Sequence, residues 1–532
     1  MITKQMRMRY RYFYYILLLI PAFLFRDYTP ANELKYISIV EEALKNGTWF
    51  TFYNHGEIYA DKPPLFFWLI MLSKLITGEY RMWLIGLFSL LPSIGVMAVM
   101  DRWLKKEGET FNPLAANLML LTTVMFVSAA LVVRMDMLMT FFIVLSLYTF
   151  YAIYKDEHAE IEKYTLPVYI FLALFTKGAI GLLIPVASII VFLVVKKQIR
   201  TIGHYLGWRQ WLILVGLCVV WFVLVYIEGG NEYLNDLTIK QTIGRGINSF
   251  HHKEPFWFYL PRMLWSFAPW SLLFIVLIWQ GIRKKMFSAD IEKFFLTIIC
   301  TSIVLLSVIS SKLDIYLLPI YPFVVYLCAI LLAQNMNNKA ITTTIAISAI
   351  LVILILPATI ILRDIIPDYG YSTITFLGIA ILTIGGITTI IMLYKKQILK
   401  AVCAVSFGIV GLVFVGSFAI PSVNKYIGFG EMAKSTIEIT KEDSDVLYAY
   451  YKFELASNMD VYLNSSLRQI NSVAELDSIV QSGKKTILFV RNREIRRDEK
   501  FADWIVRLNS EWSAGEYSWY LLGSNNYNAD TE

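Results

Sequence analysis

Charge is what this chain has least of. Only 17% of its 532 residues are Asp, Glu, Lys or Arg, and 57% are hydrophobic, whereas soluble domains carry roughly 25% charged residues. That balance excludes a soluble globular protein and predicts an integral membrane protein. The four cysteines, Cys218, Cys300, Cys328 and Cys403, all fall inside apolar runs and have no metal-ligand spacing. They read as small buried hydrophobes. No glycine-rich nucleotide cradle, internal repeat or low-complexity tract is present. No segment assigned to the cytoplasm is long enough to fold into an ATPase, which argues against a nucleotide-sugar donor as well. The net charge of +7 is modest and gathered in loops on one side, a topology signal rather than a nucleic-acid one.

What is abundant is apolar sequence in runs of membrane-spanning length. A hydrophobic run of about 17–25 residues crosses a bilayer. Such runs are predicted at 81–100, 113–133, 137–154, 164–176, 178–195, 210–228, 263–281, 294–310, 314–333, 340–362, 373–394 and 399–420. The basic stretch Met1–Arg11 leads into the apolar Tyr12–Phe25, with no small-residue cleavage site after it. It reads as a retained first span with a cytoplasmic N-terminus, bringing the expected count to 13. Loops assigned to the cytoplasm carry most of the cations, including Arg102, Lys105, Lys106, Lys196, Lys197, Arg283, Lys284, Lys285, Lys395 and Lys396. An odd number of spans then places residues 421–532 outside the cytoplasm.

The expected organisation is a membrane domain over 1–420, followed by an extracytoplasmic domain over 421–532. Two long outer loops interrupt the first, at 26–80 and 229–262. In the 26–80 loop Leu34, Ile37, Val40 and Leu44 recur at helical spacing and Asn46-Gly47 supplies a stop, predicting an amphipathic helix on the membrane surface. Pro64–Thr77 is apolar but too short to span comfortably, and reads as a second interfacial or re-entrant helix. Residues 421–532 predict a small α/β domain. Its strands are expected at Val446–Tyr451, Thr486–Val490 and Tyr517–Leu522, its helices at Ser472–Gly483 and Glu494–Asn509, the first capped by Ser472 with Glu475 three residues on.

A charge at membrane depth costs several kcal/mol unless paired or hydrated, so each one is a functional candidate. Asn32-Glu33, Asp61-Lys62-Pro63-Pro64, Arg134-Met135-Asp136, Lys177-Gly178, His251-His252 and Ser311-Lys312 followed by Tyr316 all fall on the outer face by the topology above. Snorkelling alone would scatter such charges over both faces. Cations with interspersed carboxylates at one face suit a lipid-linked phosphate. The cations neutralise it, and a carboxylate takes a proton from an attacking hydroxyl. Asp61, His251 and His252 are weaker candidates as ligands of a divalent metal. No other cofactor is indicated.

These segments also carry a resemblance. Asn32-Glu33-Leu34-Lys35-Tyr36, Gly47-Thr48-Trp49, Asp61-Lys62-Pro63-Pro64-Leu65-Phe66-Phe67-Trp68, Arg134-Met135-Asp136, Thr176-Lys177-Gly178, His252-Lys253-Glu254-Pro255-Phe256-Trp257-Phe258-Tyr259, and Ser311-Lys312 with Tyr316-Leu317-Leu318-Pro319 occur in that order. Together they resemble the GT-C glycosyltransferases of the protein O-mannosyltransferase and lipid A aminoarabinose transferase group, over about residues 10–330. The resemblance implies an enzyme of a bacterial inner membrane. It would move a sugar from a polyprenyl (undecaprenyl) phosphate to a lipid A, glycan or protein acceptor on the periplasmic side, with inversion. It implies Lys62, Arg134, Lys177 and Lys312 at the donor phosphate. Tyr59, Asp61, His251, His252 and Tyr316 would line the donor or acceptor pocket. Glu33 and Asp136 are the expected catalytic carboxylates. Asn32 stands where the family usually has Asp and cannot act as a base; its alternative role is to cap the interfacial helix. The competing reading, a transporter or flippase of lipid-linked glycans, expects internal repeats, which the sequence lacks.

Overall fold

The structure is a computed structural model that describes residues 2–156, 159–238, 254–362, 372–443, 445–508 and 510–522. It divides into two compact units. The first comprises Met1–Leu24, Thr48–Thr51 and Ile58–Phe418, and the second Phe25–Gly47, Phe52–Glu57 and Ala419–Glu532. The outer loop assigned by sequence wholly to the membrane domain is thus shared out between the two units.

The first unit is helical. Among the described residues eight helices are long and apolar enough to cross a membrane, or ten if each of two bent pairs is one span. Every segment predicted to span is helical, but several are too short, too charged or too bent to count as a simple crossing. The 113–133 run is two helices, Pro113–Leu121 and Val124–Leu131, bent by 73°. The Thr122 and Thr123 hydroxyls donate to the carbonyls of Leu118 (2.6 Å) and Leu120 (2.8 Å), taking up oxygens at the end of the first helix. The 263–281 run is likewise broken into Tyr259–Ser266 and Ser271–Arg283, bent by 117°. The two breaks brace each other: Val124 N–H donates to Ala268 O at 3.0 Å and Trp270 Nε1 to Thr122 Oγ1 at 2.9 Å. Non-helical backbone at membrane depth is tolerated when its polar groups are satisfied in this way. The 210–228 segment ends close to where it was predicted to. The helix begun at Trp208 breaks at Gly230, whose φ of 69° and ψ of −168° are non-helical and which only glycine adopts readily, and a further helical stretch then runs to Asn235.

In the second unit a five-stranded sheet has the order Arg468–Ile470, Leu447–Tyr451, Thr486–Arg491, Tyr517–Leu522, Glu511–Ala514. The first three strands are parallel and the last two antiparallel to their neighbours. Side chains alternate across the pleat. Tyr450, Ile487, Phe489 and Trp519 face one core, with Phe429, Met432, Phe453 and Met459. Ala449, Tyr451, Leu488, Val490 and Tyr520 face the other, with Leu476, Ile479, Phe501 and Trp504. The strands at Arg468–Ile470 and Glu511–Ala514 escaped the sequence reading because each is too short to show alternation. The helix expected over Glu494–Asn509 is broken into Asn492–Arg497 and Glu499–Ile505 by Asp498, whose side chain caps the second piece.

The first-loop helix, Lys35–Asn46, ends at Gly47 in the left-handed conformation as expected. Its surroundings differ from a membrane-surface helix. Tyr36, Ile37, Ser38, Ile39, Val40 and Ala43 are all buried, a face wider than one stripe. The Ser38 hydroxyl donates to Asp460 at 2.9 Å, and Leu34 joins the sheet's core. The apolar stripe therefore serves protein packing within the second unit.

Candidate functional site

In the first unit the site grows from helix ends. Asp136 opens the helix Asp136–Lys155, where the partial positive charge of the N-terminus favours a carboxylate. Lys177 closes Glu160–Lys177, and Gly178 with φ 87° turns the chain into the next helix. The Lys177 ammonium is paired with Asp136 Oδ1, and Arg134 Nε donates to Asp136 Oδ2 at 3.2 Å. Asp136 is 1% exposed and the Lys177 side chain 6%, while Arg134 keeps 28% of its side chain open. Two cations thus share one buried carboxylate, and the centre carries net positive charge. Ser89 fixes the Arg134 backbone, its hydroxyl donating to Arg134 O at 3.1 Å.

Tyr316 closes the centre from the side, with Lys177 Nζ 4.8 Å from its ring centroid, a cation–π contact. Tyr316 belongs to the 3-10 turn Asp314–Ile320, which packs on the helix begun by Asp136. Lys312, just before that turn, is 4% exposed. Its ammonium donates to Ile309 O (2.6 Å) and Glu254 O (3.0 Å). Burial lowers its pKa from the ordinary lysine value, and attraction to Glu254 opposes the shift. Lys312 therefore ties the 254 segment to the 309–314 turn.

Asp61 and Lys62 are half-buried ahead of Pro63 and Pro64, both buried. Pro64 leads into the helix Leu65–Thr77, where its fixed φ suits the first turn. That helix packs on the one ending at Lys177, with the Trp68 and Phe175 rings 5.2 Å apart, and Phe175 continues to Trp221 at 5.2 Å. The Tyr59 carbonyl accepts from Tyr233 Oη at 3.1 Å.

Glu228 escaped the sequence reading. Its carboxylate accepts from the backbone N–H groups of Trp49 (2.8 Å), Phe50 (2.7 Å) and Thr51 (2.6 Å) and from the Thr51 hydroxyl (2.8 Å). A carboxylate closing a long apolar run was its one trace in the sequence.

The other predicted carboxylate lies in the second unit. Glu33 is 1% exposed. It accepts from Arg26 at 2.8 and 2.6 Å, from Thr29 N at 2.8 Å and from Thr29 Oγ1 at 3.0 Å. Asn32 sits inside the π-helical turn Pro30–Leu34, and the residue capping Lys35–Asn46 is Leu34, which makes no side-chain cap bond. The expected capping role of Asn32 is thus replaced by a continuous turn into the helix. Neither catalytic candidate presents an idle carboxylate, since both are occupied by cations. His251 and His252 lie outside the described residues. Among the described residues no group of three His, Cys, Asp or Glu side chains is placed to hold a metal.

Comparison with known proteins places this geometry. The profile of the dolichyl-phosphate-mannose-protein mannosyltransferase family matches residues 61–226, the stretch holding Lys62, Arg134, Asp136 and Lys177. An uncharacterised protein of Aquifex aeolicus is 26% identical over 440 residues, covering 80% of this chain and 82% of its own. The undecaprenyl phosphate-alpha-4-amino-4-deoxy-L-arabinose arabinosyl transferase of Wigglesworthia glossinidia brevipalpis is 26% identical, over 62% of this chain and 61% of its own. That of Pseudomonas savastanoi is 25% identical, over 60% and 62%. The match thus spans less than two thirds of the length of these transferases. The crystal structure of ArnT from Cupriavidus metallidurans bound to undecaprenyl phosphate superposes with a TM-score of 0.78 at 16% identity. It covers 97% of this chain and 98% of that one. The apo form gives 0.74. The fold is therefore that of these membrane proteins from end to end.

Proposed function

We propose that this protein, a GT-C glycosyltransferase of the protein O-mannosyltransferase and aminoarabinose transferase group, moves a sugar from a polyprenyl phosphate to an acceptor outside the cytoplasm. The observation that carries the reading is the buried centre in which Arg134 and Lys177 share Asp136, within a fold that matches an undecaprenyl-phosphate-bound relative. In this reading the donor phosphate meets Lys177 and the exposed part of Arg134, and Lys62 contributes a third cation from the adjoining loop. Asp136 holds the two cations in place while leaving their sum positive. Neutralising the phosphate makes it a good leaving group. The acceptor then displaces it at the anomeric carbon with inversion, and the polyprenyl phosphate departs as the anion the cations stabilise.

The carboxylates bear on the acceptor. Asp136 and Glu33 both have their oxygens engaged, so neither is poised to strip a proton from an alcohol. An acceptor that is already anionic at neutral pH, such as a lipid A phosphate, needs no such base. That reading also fits the arabinosyl transferases among the relatives. The lysine and arginine distribution supports a cytoplasmic N-terminus and a second unit outside the cytoplasm, and the likeness to bacterial arabinosyl transferases supports an inner membrane.

The test is mass spectrometry of lipid A and of periplasmic glycoproteins from a deletion strain complemented with wild type or Lys62→Ala. One sugar should disappear from one pool, return with wild type and stay absent with the variant. Unchanged pools in the deletion strain would refute glycosyl transfer.

A further inference from the structure

The sheet of the second unit has a feature that the transfer reaction leaves unused. Leu447–Tyr451 comes first in the chain but lies between the second strand, Arg468–Ile470, and the third, Thr486–Arg491. All three are parallel. The chain leaves the first strand toward one edge of the sheet, to Arg468–Ile470, and leaves its neighbour Thr486–Arg491 toward the other, to Glu511–Ala514 and Tyr517–Leu522, so the connections diverge between these two adjacent strands. At such a reversal the carboxyl ends of the strands open a crevice, the usual place for a ligand in an open α/β sheet.

A cavity of about 350 Å³ lies at that point, near the lower end of the range of about 300–1,000 Å³ for small-ligand pockets. Its polar lining comes from the residues just past or at the strand ends: Lys452, Glu454, Gln469, Asn471, Arg491 and Glu494. The cations there are already matched. Lys452 pairs with Asp498 at 2.8 Å and Arg491 with Glu516 at 2.8 Å. Glu454 adds negative charge, and Glu494 is matched by Arg497 at 4.0 Å, so the lining has no surplus of positive charge to hold an anion such as free phosphate. Arg491 Nε is buried with no hydrogen-bond partner, a donor awaiting an acceptor. Gln469 and Asn471, joined at 3.1 Å, offer amide donors and acceptors on the opposite rim.

Carboxylates that accept, amides that do both and a guanidinium that donates match a ligand with several neutral hydroxyls. We propose that this cavity binds an uncharged sugar unit of a glycan, making the second unit a carbohydrate-binding module. The site stands on residues of the second unit alone and does not require the phosphate centre of the first.

The test uses the full chain in lipid nanodiscs, free of sugar-headed detergent, on an array of neutral, phosphorylated and sulfated oligosaccharides. Neutral glycans should bind. Glu454→Gln and Gln469→Ala, both at exposed positions, should each weaken that binding about tenfold, the loss expected for one hydrogen bond to a charged or well-placed polar group. Lys177→Ala should slow transfer by about 10²–10³-fold yet leave glycan binding intact, which separates this site from the transfer centre. Binding of no neutral glycan, binding only of anionic ones, or wild-type affinity in both rim variants would overturn the proposal.

Discussion

One helix, Met82–Lys106, carries a buried ionic centre near each end, and the two differ in how their charge is balanced. At one end Ser89 touches Arg134 beside Asp136 and Lys177. Twelve residues on, about 18 Å along the axis, Asp101 meets Arg11, Tyr12 Oη (2.6 Å), Tyr326 Oη (3.0 Å) and Asn117 Nδ2 (3.3 Å). Asp101 has one cation and otherwise neutral donors, so its charge closes to zero. Asp136 has two cations, so its centre does not. A buried carboxylate satisfied by one cation and several hydroxyls is a joint between helices. One outnumbered by cations is built to receive a further anion.

The largest expected effect tests the joint. Asp101→Ala leaves the Arg11 guanidinium buried without its counterion, a loss of about 3–5 kcal/mol for a broken buried pair. Thermal unfolding in detergent should shift sharply downward, while the molecules that remain folded transfer sugar at a rate close to wild type. A stable Asp101→Ala protein with no transfer would reverse the roles of the two ends. Lys177→Ala probes the other end. It removes the buried half of the anion site, so transfer should fall by about 10²–10³-fold, the cost of one preorganised charge at a leaving group. Its stability should change less than that of Asp101→Ala, because Arg134 still accompanies Asp136. Loss of folding with transfer rates per folded molecule unchanged would make this centre a joint as well.

Asp136→Asn gives a smaller, more diagnostic effect. The amide keeps shape but releases Arg134 and Lys177 from a full negative charge. Both cations then hold a phosphate in less defined positions, and transfer should drop by about tenfold, or ~1.4 kcal/mol of transition-state stabilisation. A positioning role predicts that kcat suffers while KM for the lipid donor holds or improves. A general-base role predicts instead that the loss grows with acceptors of higher pKa, and measuring both splits the readings.

How much of this was visible beforehand follows from what each residue does locally. Arg134, Asp136, Lys177 and Lys312 stood out because charge beside apolar runs is costly, and Tyr316 stood out only through the motif that follows Lys312. Their mutual pairing is tertiary, and no spacing reveals that Lys177 folds back on Asp136. Asp101 was overlooked because it sits among Arg102, Lys105 and Lys106, where a charge looks like an ordinary loop residue. The bends at Thr122-Thr123 and Phe267–Trp270 were invisible to hydropathy, which averages over a window and cannot register hydroxyl back-bonds. The first-loop helix showed its apolar face but not what covers it. Membrane and protein present the same demand to Ile37 and Val40, and only the structure shows the sheet unit meeting it.

The same rule of counting donors can be tested where water screens it. Asp498 in the second unit has Lys452 Nζ at 2.8 Å, Tyr451 Oη at 2.8 Å and the Phe501 N–H at 3.2 Å. Hydrogen bonds from Lys452 and Tyr451 hold its pKa down at about 2, against about 3.9 in an unfolded chain. The folded pKa is the lower one, so the stabilisation is fully present above about pH 4 and fades as pH falls toward 2. Lys452 is 42% exposed and Asp498 26%. Solvent screening therefore trims the ion pair to a fraction of a kcal/mol, and the lost helix cap brings the cost of Asp498→Ala to about 1 kcal/mol. Hydrogen exchange across Glu499–Ile505 at pH 7 should accelerate about fivefold in that variant, and the difference should shrink steadily below pH 4. An effect as large as that at Asp101 would mean that donor number, rather than burial, sets the value of these carboxylates.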